Sequence, residues 1–197
     1  MSDFDPKSPA DIQRLVSACP LATLVSSGPA GFAATPLPLV PEIDGDGCIV
    51  ALIGHFARSN PQWLELQDRP QAMAVFHGPQ GYVSPRIVSK PGWGPTWNYA
   101  VVRFQVEVTL TPERNDRALA LLIEALEHDG PGAWRASMMG ERYHRLITRI
   151  VAFRAKVLST HATFKLGQDE DDTSFAEIVA RIEDRRLADM MVAQRQG

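Results

Sequence analysis

Gly54-His55-Phe56-Ala57-Arg58-Ser59-Asn60-Pro61-Gln62-Trp63 follows directly on the apolar run Ile49-Val50-Ala51-Leu52-Ile53. The run reads as a buried strand. The next stretch supplies two basic side chains, a hydroxyl, an amide and a helix start. Asn60 can cap the helix. Pro61 suits its first turn, where a missing N–H costs nothing. Unpaired N–H groups in a first turn carry partial positive charge and stabilise an anion in front of them. A strand ending in His55, Arg58, Ser59 and a capped helix therefore predicts a phosphate cradle.

Upstream, Ser8-Pro9-Ala10-Asp11 opens a short helix with Ile12, Leu15 and Val16 on one face, stopped by Cys19-Pro20. Leu21–Ser26 reads as a strand, Ser27–Gly31 as a turn, and Phe32–Val40 as a second strand. Pro36 and Pro38 lie two apart, so both missing donors fall on the same edge of that strand. It is expected at a sheet edge or against a ligand or partner. Pro41–Gly47 reads as a hairpin turn. Downstream, Gln71–His77 is a strand, Gly78-Pro79-Gln80-Gly81 a tight turn, and Tyr82-Val83-Ser84 a further short strand. Residues 85–95 form a Pro/Gly-rich loop. Trp97–Leu110 is a long strand alternating at Val102, Phe104, Val106 and Val108. Five or six antiparallel strands at short spacing favour a small barrel.

The second half adds helices. Asn115-Asp116 starts one with Leu119, Leu122, Ile123 and Leu126 on a stripe, ended by His128–Gly132. Another covers Glu141–Thr148. Ile150–Leu158 returns to the sheet. Ser174-x-x-Glu177 is a capping box before the apolar residues of a last helix, about 174–194. One domain spans 1–197, with helical insertions at about 115–148.

The bulk properties narrow the function. The chain has 197 residues, 45% of them hydrophobic, with four Trp, and is globular. A net charge of −3 gives no uniform field toward DNA or an anionic membrane. Cys19 and Cys48 show no CxxC spacing, so a disulfide framework is not expected and a cytoplasmic location fits. The first residues, MSDFDPKSPADI, are acidic and lack an apolar core, so neither a signal peptide nor a membrane anchor is expected. The five histidines show no ligand spacing for a metal. No GxSxG or Walker loop is present.

Four segments resemble the PaiB family of FMN-binding negative transcriptional regulators. The quoted stretch is similar to the family's GHLARANPQW. Val75–Pro85 is similar to VIFQGPHAYISP, Pro95–Ala100 to PTWNYA, and Phe164–Asp169 more weakly to a KLSQN signature. The order agrees, from about residue 20 to the C-terminus. The resemblance implies a mainly β fold with added helices, a split β-barrel related to pyridoxamine-phosphate oxidases. It also implies a homodimer with FMN at the subunit interface and a role in repressing gene expression. The chain departs from the family in a shorter loop, Arg86–Gly94, where Ile87, Val88, Trp93 and Gly94 replace an aromatic pair and a second basic residue. It also has Gly167-Gln168-Asp169 in place of Ser-Gln-Asn.

With that resemblance, Arg58, Ser59 and Asn60 become the phosphate site, with His55 beside them. Each also has an ordinary structural reading, as a cap, a surface cation or a hydrogen-bonded imidazole. Thr35, Pro36, Leu37 and Pro38 would offer an unpaired edge to the flavin ring, or merely prevent aggregation. Thr96, Trp97 and Asn98 would cover flavin at the dimer interface or pack in a core. Lys90 would meet phosphate or the ring. Arg181, Arg185 and Arg186 on the last helix are interleaved with Glu177, Glu183 and Asp184, which argues for a solvated face over a DNA contact. A flavin-dependent oxidoreductase is the alternative. A cofactor-free DNA-binding repressor and a haem-binding barrel are more distant ones.

Overall fold

The computed structural model describes residues 3–29, 31–127 and 134–196. In chain order the elements are α1 (Pro9–Ala18), β1 (Leu21–Gly28), β2 (Gly31–Pro38), β3 (Val40–Ile43), β4 (Ile49–Ala57), α2 (Gln62–Asp68) and β5 (Gln71–Val83). Then follow β6 (Thr96–Leu110), α3 (Asn115–Leu126), α4 (Glu141–Ile147), β7 (Ile150–Lys165), α5 (Asp172–Arg181) and α6 (Arg185–Gln196). The strands form one antiparallel sheet of order β2-β1-β5-β6-β7-β4-β3.

The two edge strands of that sheet, β2 and β3, are separated in the chain by Leu39 alone. Opposite edges joined by one residue can exist only if the sheet curls until its edges meet. The result is a barrel split between β2 and β3, its sheet not closed by a ladder. Leu39 is buried at the junction, and its N–H donates to Pro20 O at 2.9 Å. The barrel interior holds Leu24, Leu52, Phe56, Phe76, Val102, Phe104 and Phe153. Phe76 meets Phe104 edge-on at 5.8 Å, and Phe56 lies 4.9 Å from Phe153.

Alternation along β4 sends Leu52 and Phe56 inward, and Ile53 outward, where it packs with Ala118 and Leu121 of α3 and Ala152 of β7. Asn115 anchors α3 to this face. Its amide donates to Ile147 O and Ile150 O at 2.9 and 3.0 Å, and its oxygen accepts Ala152 N–H at 2.8 Å. Three satisfied bonds at a buried amide make it a rigid pin.

Several expectations are corrected. The stretch read as one strand to Val40 breaks at Leu39, and Val40 joins Pro41–Ile43, read as part of a turn, in β3. Gly78–Gly81 is not a turn: β5 runs through it with a register shift between His77 and Gln80. Among the described residues there are seven strands, and β7 extends to Lys165. The last helix is two, and Asp171 caps the first, accepting Ser174 N–H at 2.9 Å. Ser174 is inside α5, and Glu177 accepts Ser89 N–H at 2.6 Å instead of closing a box. The expected stop His128–Gly132 lies outside the described residues, and so does Ala30 of the Ser27–Gly31 turn.

Candidate functional site

β4 ends at Ala57, and the chain turns through Arg58-Ser59-Asn60 into α2. Asn60 Oδ1 accepts Gln62 N–H at 2.9 Å, so Asn60 does cap the entry, although the first helical residue is Gln62 and not Pro61. The helix is only Gln62–Asp68, and its contribution to an anion site is correspondingly small. Asn60 also donates through Nδ2 to Thr35 Oγ1 at 2.8 Å, and Thr35 Oγ1 donates to Gln62 Oε1 at 2.5 Å. Gln62 Nε2 donates to Leu24 O at 3.1 Å and Ser26 Oγ at 3.0 Å. Gln62 is 2% exposed, so these bonds replace water for an amide that has none. β1, β2 and the β4–α2 turn are thus sewn together by one polar network. Gln62 and Ser26 were not among the residues singled out from sequence. The available signal was a polar Gln62 one helical turn before the buried Leu66, on a face that should be apolar.

Arg58 is exposed and oriented by main-chain carbonyls. Its Nε donates to Thr148 O at 2.9 Å and its guanidinium to Ile150 O at 3.2 Å. Its own N–H donates to Arg149 O at 2.7 Å. The other N–H groups of its fork make no bond to described residues, and Ser59 beside it is exposed. A planar fork with spare donors next to a hydroxyl is suited to a phosphate ester. His55 pairs in register with Ala152 and lies, by alternation, on the same face as Ile53. Its Nδ1 is buried without a partner among the described residues, and burial lowers its pKa, so the ring is neutral at pH 7.

On β2, Leu39 N–H points at β1, so Leu37 and Thr35 do as well, and Pro36 and Pro38 face away. The outer edge of β2 therefore offers carbonyls at Ala34 and Pro36 but no N–H at Pro36 or Pro38. It is an acceptor-rich edge whose sheet partner is β1 alone. Leu37 is 5% exposed and belongs to the core.

The remaining residues lie elsewhere. The Trp97 ring meets that of Tyr82 at a tilt of 51° with centroids 5.9 Å apart, both about half exposed, and Trp97 Nε1 donates to Gln80 Oε1 at 3.0 Å. Lys165 Nζ bonds Thr96 Oγ1 and donates to Trp97 O at 3.3 Å. Asn98 is 2% exposed, with Nδ2 3.6 Å from Met191 Sδ under α6. Lys90 pairs with Asp171 at 2.9 Å, which raises its pKa. The Ser174 N–H and Lys90 together hold the Asp171 carboxyl down to about 2. Ala74 on β5 lines up with Leu24 and Tyr82 with Trp97, so the two groups sit roughly 25 Å apart along one strand. Thr35, Arg58, Ser59 and Asn60 gather at one place, and Lys90, Thr96, Trp97 and Asn98 at another.

The curled seven-strand antiparallel sheet, split between edge strands and flanked by helices, is the flavin-binding split barrel. It is shared with the flavocytochrome Anf3 from Azotobacter vinelandii, with TM-score 0.56 and 11% identity over 81% of this chain and 68% of that one. The FAD and heme binding protein from Mycobacterium smegmatis gives 0.55 and 14% over 89% and 79%. At such identities the likeness concerns the fold. The chain belongs to the family described as "Putative FMN-binding domain", which matches residues 1–159, and so carries an FMN-binding domain. It is also 26% identical over 191 residues, 92% of this chain and 90% of the relative, to "Protease synthase and sporulation protein PAI 2" of Bacillus subtilis (strain 168), in keeping with the PaiB resemblance.

Proposed function

We propose that this protein is an FMN-binding regulatory protein that holds the flavin between the two subunits of a homodimer. One observation carries the reading: exposed residues of the family-like segments, Arg58 and Ser59 in one group and Tyr82 and Trp97 in the other, lie roughly 25 Å apart on one chain. A single chain cannot close both around one ligand, whereas a second copy can bring its Tyr82–Trp97 pair to the first copy's Arg58 and β2 edge. Arg58 and Ser59 would hold the phosphate. The Ala34 and Pro36 carbonyls would accept a ring N–H, and the aromatic pair would cover the ring and exclude water. Bound FMN supplies one- and two-electron redox chemistry.

A direct DNA contact through the last helices has no support. Arg181 donates to Ile87 O, Arg185 to Val179 O, and Arg186 pairs with Asp184, so these cations are engaged within the chain. No helix among the described residues is long and apolar enough to cross a membrane.

Titration of the purified protein with FMN, followed by the visible spectrum and by sedimentation velocity, tests the reading. A saturable spectral shift at one flavin per chain in a dimeric species is expected. A monomer, or the absence of saturable binding, would overturn it. Arg58→Gln should weaken FMN binding by about tenfold or more, the loss of one charge-assisted phosphate contact.

A further inference from the structure

The turn of chain before β7 carries cations that the flavin reading does not use. Arg142, Arg145 and Arg149 are spaced i, i+3, i+7 and share one face of α4 and its end. With Leu146 they line a hollow of about 210 Å³. All three are exposed, and none forms an ion pair with a described carboxylate. From Trp134 to Arg149 the sequence holds four arginines and a single acid, Glu141, in a chain of net charge −3. Arg14, Arg154 and Arg195, by contrast, each sit within 3 Å of a carboxylate oxygen, and what sets the α4 arginines apart from other unpaired ones is that three of them line one hollow.

Three guanidinium groups around one hollow repel each other, and an anion among them would offset that repulsion. The planar forks suit phosphoryl oxygens, which accept two parallel N–H bonds. The hollow's small volume and four lining residues favour a compact anion over duplex DNA, whose phosphates call for an extended basic stripe. We propose that the α4 hollow binds a compact ligand bearing two or more phosphoryl groups, as in pyrophosphate or the phosphate tail of a nucleotide. The site is separate from the proposed flavin anchor but adjoins it, because the Thr148 and Arg149 carbonyls accept from Arg58. It does not depend on the flavin reading.

Isothermal titration calorimetry with pyrophosphate, ATP and adenosine, on the full chain with and without saturating FMN, tests this. Pyrophosphate and ATP should bind and adenosine should not, with affinity falling as salt rises. Binding of ATP much tighter than pyrophosphate identifies a nucleotide as the source, and equal affinities identify the phosphoryl groups alone. The double variant Arg142→Gln/Arg145→Gln should weaken both by at least about tenfold, with the circular dichroism spectrum and the FMN titration unchanged. The proposal is overturned by no heat from either phosphate or by equal binding to the variant. One-for-one competition with FMN would also overturn it, by making the hollow the flavin's own anchor. So would tight binding of duplex DNA, lost in the variant, with no response to pyrophosphate.

Discussion

Gln62 shows how a single buried amide fixes the local geometry. Its oxygen accepts from Thr35 and its nitrogen donates to Leu24 O and Ser26 Oγ, with almost no exposure to water. Gln62→Ala removes these bonds and leaves a cavity, and is expected to cost about 2–4 kcal/mol in urea unfolding. Gln62→Met keeps most of the volume and should cost about half as much. If both variants unfold like the parent, the network is not what joins β1, β2 and the β4–α2 turn. His55 makes a different demand. Burial lowers its folded-state pKa below 6.5, so the unfolded chain takes up a proton that the folded chain refuses. Stability is therefore fully present above that value and declines as pH falls below it. Urea midpoints between pH 7.5 and 5.5 should fall for the parent and fall less for His55→Gln. Parallel slopes would mean that His55 does not titrate differently on folding.

At the scale of elements, the deciding contact is the place where the sheet's two edges meet. A Cβ on Gly54 of β4 would lie 2.5 Å from Leu39 Cδ2, 3.0 Å from Phe153 Cζ and 3.3 Å from Pro38 O. Gly54→Ala should cost about 1–3 kcal/mol in urea unfolding, because Leu39 and the Pro38 carbonyl must give way. A neutral result would show that the split is looser than the contact implies. This junction also marks the limit of what the sequence reveals. The spacing of Pro36 and Pro38 points to an edge strand, because a missing donor is a local property. The crossing at Leu39 is not local: the residues on both sides are extended and apolar, and only the identity of their partners changes. Gly78-Pro79 misleads for a related reason. The pair has turn chemistry, yet β5 continues through it, and Gly78 instead admits α1, with Leu15 Cδ1 2.8 Å from where a Cβ would stand. The capping box at Ser174 fails because Asp171, three residues earlier, offers a charged acceptor that is also paired with Lys90. Arg58, Ser59 and Asn60 were legible as a group through their position after a strand. The role of Gln62 depends on Thr35 and Leu24, which are distant in the chain: its place on an apolar helix face marks it as unusual but does not name its partners.

For the whole molecule, the question is whether one chain suffices for the flavin site. Arg58 and the β2 edge stand at one end of β5's reach and Trp97 at the other, so the proposed site takes its phosphate anchor from one subunit and its aromatic cover from the other. Arg58→Gln and Trp97→Ala should each depress FMN binding in their own homodimers. Mixed in equal amounts, unfolded and refolded together, the two chains form heterodimers in which one site carries both defects and the other carries neither. Random pairing then restores about a quarter of the parental sites. Titrating the mixture by flavin fluorescence should reveal a class of tight sites of that size, absent from either variant refolded alone. If each chain binds FMN by itself, mixing cannot unite Arg58 and Trp97 in one intact site. The mixture would then titrate as the plain average of its two components, and the proposal of a site shared between subunits would be lost.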